Sequence, residues 1–378
     1  MSRKIASHYA LVDGRLERDR VLTLADDGTI VDIVESHALD AMAGVEFYPG
    51  ILLPGMVNAH CHLELSYLAG AIAEGTGFAG FAREIGRVRS LFSDEQRLRA
   101  ATLADAKIWA EGVEAVVDIA NDSLIMGVKE RSKIKYLTLF ELFGLKAESA
   151  DALRQMVARA TTAASITPHS TYSVLDGIFR EIASCGDAPL SIHLLESRAE
   201  SELYHRRGSL WEWYERMGWE CDFLHYGTPA RRIVESIPSD RRTLLVHGCE
   251  ATAEDIELIE GHFHRRATWV LCPESNRYIS SAKAPAQLLH RMGASVAIGS
   301  DSLASARTLS LIDNMRLIEG IPLETLLNWA TRGGAEALGM GDILGTLAIG
   351  RRPGIVLLEG ADLHNLKLTA DSHTRRLL

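Results

Sequence analysis

The sequence predicts an α/β fold, either a closed (β/α)8 barrel or a large doubly wound sheet, with a small β domain assembled from both ends of the chain. Three observations predict it. Eight short, largely apolar runs recur between residues 51 and 298, longer amphipathic stretches separate them, and glycine-punctuated, strand-like segments lie before and after that array.

Residues 1–50 hold the strand-like runs Tyr9–Val12, Val21–Leu24 and Thr29–Val34, with turn dipeptides at Asp13-Gly14 and Asp27-Gly28 and no long helical pattern. The character changes at residue 51. The eight runs are Ile51–Val57, Ala115–Ile119, Tyr136–Phe140, Ala164–Thr167, Leu190–Leu194, Thr243–Val246, Thr268–Leu271 and Ser295–Ile298. Parallel strands covered by helices on both faces read as continuous apolar runs of this kind. Helices are expected between them, for example over Asp94–Glu111 and Ala150–Ala163. The segment Arg198–Arg242, with Trp211, Trp213 and Trp219, is long for one βα connection and is expected to add helices over one end of the array. Strand-like runs return after Leu338, at Gly345–Gly350 and Pro353–Leu358. Residues 1–50 with 343–378 are therefore expected to form the small β domain, and 51–342 the βα domain.

The 378 residues are 47% hydrophobic and 24% charged, enough apolar material for a large core. A formal charge of −10 argues against a nucleic-acid partner or an anionic membrane, both of which select basic surfaces. Cys61, Cys185, Cys221, Cys249 and Cys272 are scattered and form no CxxC, which fits a reducing compartment. Ile5–Val12 is interrupted by Ser7 and His8 and lacks a signal-peptide core, and no apolar stretch reaches membrane-spanning length. A cytoplasmic enzyme acting on a small molecule is expected. Assembly into a homo-oligomer is compatible with that expectation.

Most of the apolar runs end in a residue able to do chemistry: His60-Cys61-His62, Asp118, Glu141, His169, His193 followed by Glu196, His247, Cys272-Pro273-Glu274-Ser275-Asn276, and Asp301. In a (β/α)8 barrel such strand ends converge on one site. His60 and His62 stand at i and i+2, which on a strand places both imidazoles on one face, half of a metal site. His262-Phe263-His264 has the same spacing but precedes a strand, so it is expected to be a surface pair remote from the site. Taken alone, His193 and His247 read as hydrogen-bonded core histidines as readily as site residues. Asp301 reads as a helix cap as readily as a ligand. Glu196 lies three residues beyond His193, so strand alternation puts it on the opposite face; it reaches the site only if the chain turns after Leu194. HExxH, GxSxG, the phosphate-binding Walker loop and GxGxxG are absent. The HxE of His62-Leu63-Glu64 lacks the PCxxC of the zinc deaminases that use it.

Leu53-Pro54-Gly55-Met56-Val57-Asn58-Ala59-His60-Cys61-His62-Leu63 resembles the opening metal motif of the amidohydrolase superfamily. So do, in order, Thr167-Pro168-His169-Ser170-Thr171-Tyr172-Ser173, His193 with Glu196, Val246-His247-Gly248, Cys272–Asn276 and Gly299-Ser300-Asp301-Ser302-Leu303-Ala304-Ser305. The resemblance is to the chlorohydrolase and deaminase branch, nearest to aminodeoxyfutalosine deaminase-like proteins, and Cys272-Pro273 is a variant associated with them. It implies a (β/α)8 TIM barrel with a small β-sandwich built from both termini. It implies one divalent metal, Zn2+ first and Fe2+ as the alternative, held by His60, His62, His193 and Asp301. Glu196 and His247 would carry protons together with Asp301, and His169 would contact substrate. The implied activity is deamination of a purine-like amine, with 6-amino-6-deoxyfutalosine first. The alternatives are hydrolysis of a formimino, cyclic amide or chloro-heterocycle bond on the same site, or a non-catalytic amidohydrolase-like binding protein. Arg83, Arg87 and Arg89 are candidates to receive a substrate carboxylate, although a solvated helix face explains them equally. No lysine stands at the fourth strand end to be carbamylated, which favours a single metal.

Overall fold

The computed structural model describes residues 3–38, 42–146, 152, 153, 155 and 165–378. Among these, the strands in chain order are β1 (Arg3–Val12), β2 (Arg15–Glu17), β3 (Arg20–Leu24), β4 (Ile30–Glu35), β5 (Val45–Pro54), β6 (Met56–Cys61), β7 (Val113–Ala120), β8 (Lys135–Leu142), β9 (Ile166–Pro168), β10 (Leu190–Leu194), β11 (Thr243–His247), β12 (Ala267–Leu271), β13 (Val296–Ile298), β14 (Ile355–Glu359) and β15 (His373–Arg376). Strands from both termini share one seven-stranded mixed sheet, ordered β15-β14-β5-β1-β3-β4 with β2 on β1. Strands β6-β7-β8-β9 and β10-β11-β12-β13 form two parallel four-stranded sheets. Single parallel bridges, Ser170 to His193 and Cys61 to Asp301, join the two at both edges. The fold is thus α/β, with eight parallel strands in sequence order and helices between them, among them the one expected over Asp94–Glu111.

Several expected boundaries shift for identifiable reasons. The run Ile51–Val57 divides at Gly55: Ile51–Pro54 pairs with β14 in the terminal sheet, and Met56 begins β6. A Cβ on Gly55 would lie 2.0 Å from Glu114 Cγ, so only glycine lets the chain pass here. No strand forms over Gly345–Gly350, where Leu347 alone bridges Val12. Gly345 and Gly350, each at φ +83, turn the backbone out of extension. Strand β15 (His-Thr-Arg-Arg) was not foreseen because it lacks apolar alternation. The helix expected over Ala150–Ala163 falls largely outside the described residues, as does Ala164, so the fourth run is seen as Ile166–Pro168.

Local chemistry accounts for the helices that pack on these strands. Ser93 and Gln96 form a reciprocal capping box for Asp94–Ala110, and Thr252 with Asp255 does the same for Ala253–Phe263. The Trp-rich connection folds as helices Arg198–Tyr204, Gly208–Met217 and Pro229–Ser236, as expected. The first two share an apolar cluster with Leu145 and Tyr172, and the third packs its Ala230 and Ile233 into the main core. Arg232, on the third, is fully buried, its guanidinium over the rings of Phe179 and Phe223 (4.5 and 4.4 Å to the centroids). It donates to the carbonyls of Thr171 (2.7 Å) and Val174 (2.8 Å), tying down the loop after β9. The terminal sheet is fastened to the parallel strands by Arg376, which pairs with buried Glu114 and donates to the carbonyls of Trp109 and Val113.

Asp118, at 0% exposure on β7, accepts the Leu63 amide (2.8 Å) just after the HxH pair, and its other oxygen pairs with buried Lys129, which also donates to Thr138 Oγ1 (3.1 Å). Removing one partner of a buried pair strands the other charge. Lys129→Met is therefore expected to lower the unfolding free energy by about 3–5 kcal/mol, and Asp118→Asn with Lys129→Met by less. Urea denaturation measures both. A double variant no better than the single one would contradict this account of the pair.

Candidate metal centre

The parallel strands deliver all seven proposed site residues to one place. His60 is on β6 and His62 directly follows it; His169 follows β9; His193 is on β10 and Glu196 just beyond; His247 ends β11; Asp301 follows β13. The His60 ring centroid lies 4.9 Å from His62 and 5.0 Å from His193, and His193 lies 4.6 Å from His169 and 5.2 Å from His247. The β6–β7 register is irregular between Asn58 and Cys61, a local deformation at the HxH pair itself.

Backbone strain aims three of these side chains. Leu195, His247 and Asp301 have φ of +50, +77 and +56, values costly for side-chain-bearing residues. The Leu195 turn resolves the difficulty with Glu196: β10 stops at Leu194, the chain reverses hand, and Glu196 comes round to the side of His193. Glu196 Oε1 stands 3.8 Å from His247 Nε2.

Every site ring but that of His62 is anchored through Nδ1. His193 Nδ1 lies 2.8 Å from the His169 carbonyl and His247 Nδ1 lies 2.8 Å from Asn276 Oδ1; both partners only accept, so both Nδ1 atoms carry the hydrogen and both Nε2 atoms keep a lone pair. His60 Nδ1 is 3.1 Å from Ser191 Oγ, while its Nε2 is buried with no hydrogen-bond partner, as is His62 Nδ1. Asp301 Oδ2 accepts from Ser275 Oγ (2.5 Å) and Ser305 Oγ (2.8 Å), and Oδ1 faces His62 Nε2 at 3.6 Å and His60 Nε2 at 4.0 Å. Its partners are hydroxyls and imidazoles, not helix amides. Ligand atoms of His60, His62 and His193 lie within 4.8 Å of one another. The overlapping set Glu141, His169 and His193 is equally compact, but His169 Nδ1 is engaged by Ser173 Oγ (2.9 Å) and Glu141 by the Asn121 amide (3.0 Å). The unpartnered Nε2 of His60 makes the first set the better fit to a cation.

Burial governs the charges. It holds His60 well below the ordinary imidazole range, with repulsion from His62 and His193 adding to it; His193 and His247 are also lowered, chiefly by burial. Burial takes His169 down to about 4, against the pull of Glu141. For Asp301, burial opposes ionisation but His62, His247 and the Ser275 hydroxyl outweigh it, so the carboxyl sits below its usual value. Burial pushes Glu196 up to about 7, despite the attraction of His193.

A cavity of 760 Å3 opens over these groups, bounded by Phe78, Phe81, Ile85, Phe143, Trp213, Tyr214 and Trp219. Of the three arginines singled out, Arg89 lines it; Arg83 is exposed and outside the lining, and Arg87 pairs with Glu84 at 2.8 Å. His262 and His264 end the helix before β12 and are not in the lining; His262 Nε2 is 2.9 Å from the Ile237 carbonyl. Sequence reasoning assigned no role to Ser191, Ser275, Asn276 or Ser305. Ser191 carried a signal, two residues from His193 on the same strand face, and Ser275 and Asn276 stood in the chemistry-bearing segment after the seventh run.

The sequence profile of the amidohydrolase family matches residues 51–376. The 5-methylthioadenosine/S-adenosylhomocysteine deaminase of Halobacterium salinarum is 26% identical over 363 residues, covering 88% of this chain and 77% of that protein. The crystal structure of Helicobacter pylori aminofutalosine deaminase with methylthio-coformycin superposes with a TM-score of 0.83 at 24% identity, over 97% of this chain and 93% of that one. An adenosine deaminase from Xanthomonas campestris, solved with bound zinc, gives 0.73 at 22% identity, over 96% and 85%.

In the metal-free protein His169 is expected to titrate near 4 and to remain neutral at about pH 6. Because its folded value lies below the ordinary 6.5, its contribution to stability is complete above that value and is lost as the pH falls towards 4. Nitrogen NMR of the imidazole reads this directly; an imidazolium signal from His169 at about pH 6 would contradict it.

Proposed function

Since the chain belongs to the amidohydrolase family, we propose that it is a metal-dependent aminohydrolase that deaminates a purine-like amine. The observation that carries this reading is the buried, partnerless His60 Nε2 set among His62, His193 and Asp301: three imidazoles and one carboxylate, a donor set suited to a single borderline divalent ion. His60, His62, His193 and Asp301 would hold Zn2+, with Fe2+ as the alternative. The two edge bridges support closure of the eight parallel strands into a (β/α)8 barrel over residues 51–342. The separate apolar cluster of Ile5, Leu22, Ile30, Leu52 and Ile355 supports a small β-sandwich domain from 1–50 and 343–378, with β5 carrying its sheet on to Pro54.

A bound divalent ion would make water acidic enough to lose a proton near neutral pH. His247 Nε2, bare because Nδ1 serves Asn276, and the Asp301 carboxylate are the bases that take that proton. Glu196, held near 7, can both carry a proton and release it at neutral pH; it gives its proton to the ring nitrogen beside the amino-bearing carbon, the proton taken from water passes to the amino group that leaves as ammonia, and Glu196 recovers a proton from the hydroxyl that becomes the carbonyl. His169, stacked on His193, lines the cavity where substrate would sit. The aromatic walls suit a purine-sized ring, and Arg89 at the wall suits a substrate carboxylate, which favours a futalosine-type amine such as 6-amino-6-deoxyfutalosine.

Protein expressed with zinc is expected to retain about one equivalent of metal, and Asp301→Ala to lose it. Less than about half an equivalent in the unaltered protein would favour a non-catalytic binding protein. Glu196→Gln is expected to keep the metal while kcat falls roughly 100- to 10,000-fold. Ammonia release from adenosine-type, guanine-type and futalosine-type amines tests the activity. Release from none, with the metal present, would overturn deamination in favour of another bond.

A further inference from the structure

We propose that Glu200 is the positioning residue for Glu196: its buried carboxyl holds the left-handed turn at Leu195 and so aims Glu196 at the site. The inference rests on the role given to Glu196 above.

Glu200 has 0% exposure in the first turn of helix Arg198–Tyr204, whose Arg198 is exposed and whose Ala199, Ser201 and Glu202 are only part-buried. A buried carboxyl outside the catalytic cluster needs an explanation. Its Oε2 accepts the backbone N–H of Glu196 at 3.1 Å, and the Leu195 amide adds to that contact. The Thr171 hydroxyl donates to Oε1. Thr171 is itself fixed, since its carbonyl accepts from Tyr204 Oη (2.7 Å) and from Arg232 (2.7 Å). A continuous buried chain therefore runs from Arg232, through the loop that carries His169, to the peptide of Glu196. Leu195 at φ +50 takes a conformation that L side chains disfavour, offset in part by burial of its own side chain in the core. Partners outside the turn hold it: the Gly248 and Glu250 amides donate to the Leu194 and Leu195 carbonyls (3.0 and 2.9 Å), and Glu200 takes the Glu196 amide on the other side. Burial also pushes the Glu200 carboxyl up to about 8, so it is mostly protonated at neutral pH and glutamine is its nearest isostere.

The test compares Glu200→Gln with Glu200→Leu, using whichever amine the unaltered enzyme deaminates fastest. Glu200→Gln is expected to keep kcat within about threefold, and Glu200→Leu to lower it roughly 100-fold with KM within about threefold and metal content unchanged. Hydrogen exchange of the Glu196 amide, followed by mass spectrometry, is expected to quicken at least about tenfold in Glu200→Leu only. A kcat for Glu200→Leu within about threefold of the unaltered enzyme, parallel losses of kcat, KM and metal in both variants, or unchanged amide exchange would each overturn the proposal. If Glu200→Leu does not fold, Thr171→Val removes one arm of the contact and is expected to lower kcat about three- to tenfold; no change would overturn the proposal. If the unaltered protein deaminates no amine, the functional reading fails and amide exchange alone decides on Glu200.

Discussion

Several buried histidine rings crowd together at the ends of the parallel strands, and burial there disfavours a proton on His60, His169, His193 or His247. Burial and mutual repulsion keep His60, His169, His193 and His247 below the ordinary imidazole range, so each is a neutral ring with one lone pair to offer. Orientation then decides what the lone pair does. The anchors on Nδ1 (a hydroxyl for His60, a main-chain carbonyl for His193, an amide oxygen for His247) fix the rings before any ligand arrives. The remaining polar contacts of the site follow from the same constraint. Asp301 stays ionised because imidazoles and hydroxyls surround it, and Glu196 does not stay fully ionised because it is buried with less help.

Support for this arrangement is laid down one layer further out. Asp118 with Lys129 secures the chain after His62, and Arg232 secures the loop after His169. These are charged groups in apolar surroundings, which add little net stability compared with well-packed apolar residues but define single geometries when every hydrogen bond is made. Strained backbone at Leu195, His247 and Asp301 is consistent with that role, because strained residues persist only where their surroundings over-determine them.

The sequence showed which residues meet and left open how they are aimed. Apolar runs ending in His, Glu or Asp placed His60, His193, His247 and Asp301 together because strand periodicity and strand direction are local properties of the chain. Glu196 escaped that logic: alternation put it on the wrong face, and the left-handed Leu195 that corrects this leaves no mark in an apolar Leu-Leu pair. Ser275, Asn276 and Ser305 stood in segments the sequence singled out, but their roles were illegible, since a hydroxyl or amide gains its role from a partner distant in the chain. The division at Gly55 was missed because a strand of the terminal sheet and a strand of the parallel array join without a polar break.

That junction ties the two parts of the molecule in a way that composition does not reveal. Residues 45–54 are locked in register against β1 and β14, and only Gly55 separates them from the strand that bears His60 and His62. Strand faces alternate residue by residue, so the parity of the chain is set upstream, in a sheet that never touches the cavity. One residue added at the hinge would present Ala59 and Cys61 where the two imidazoles now stand. A length change in a loop at the mouth leaves that parity untouched, whereas one in the count from Pro54 to His60 reverses it.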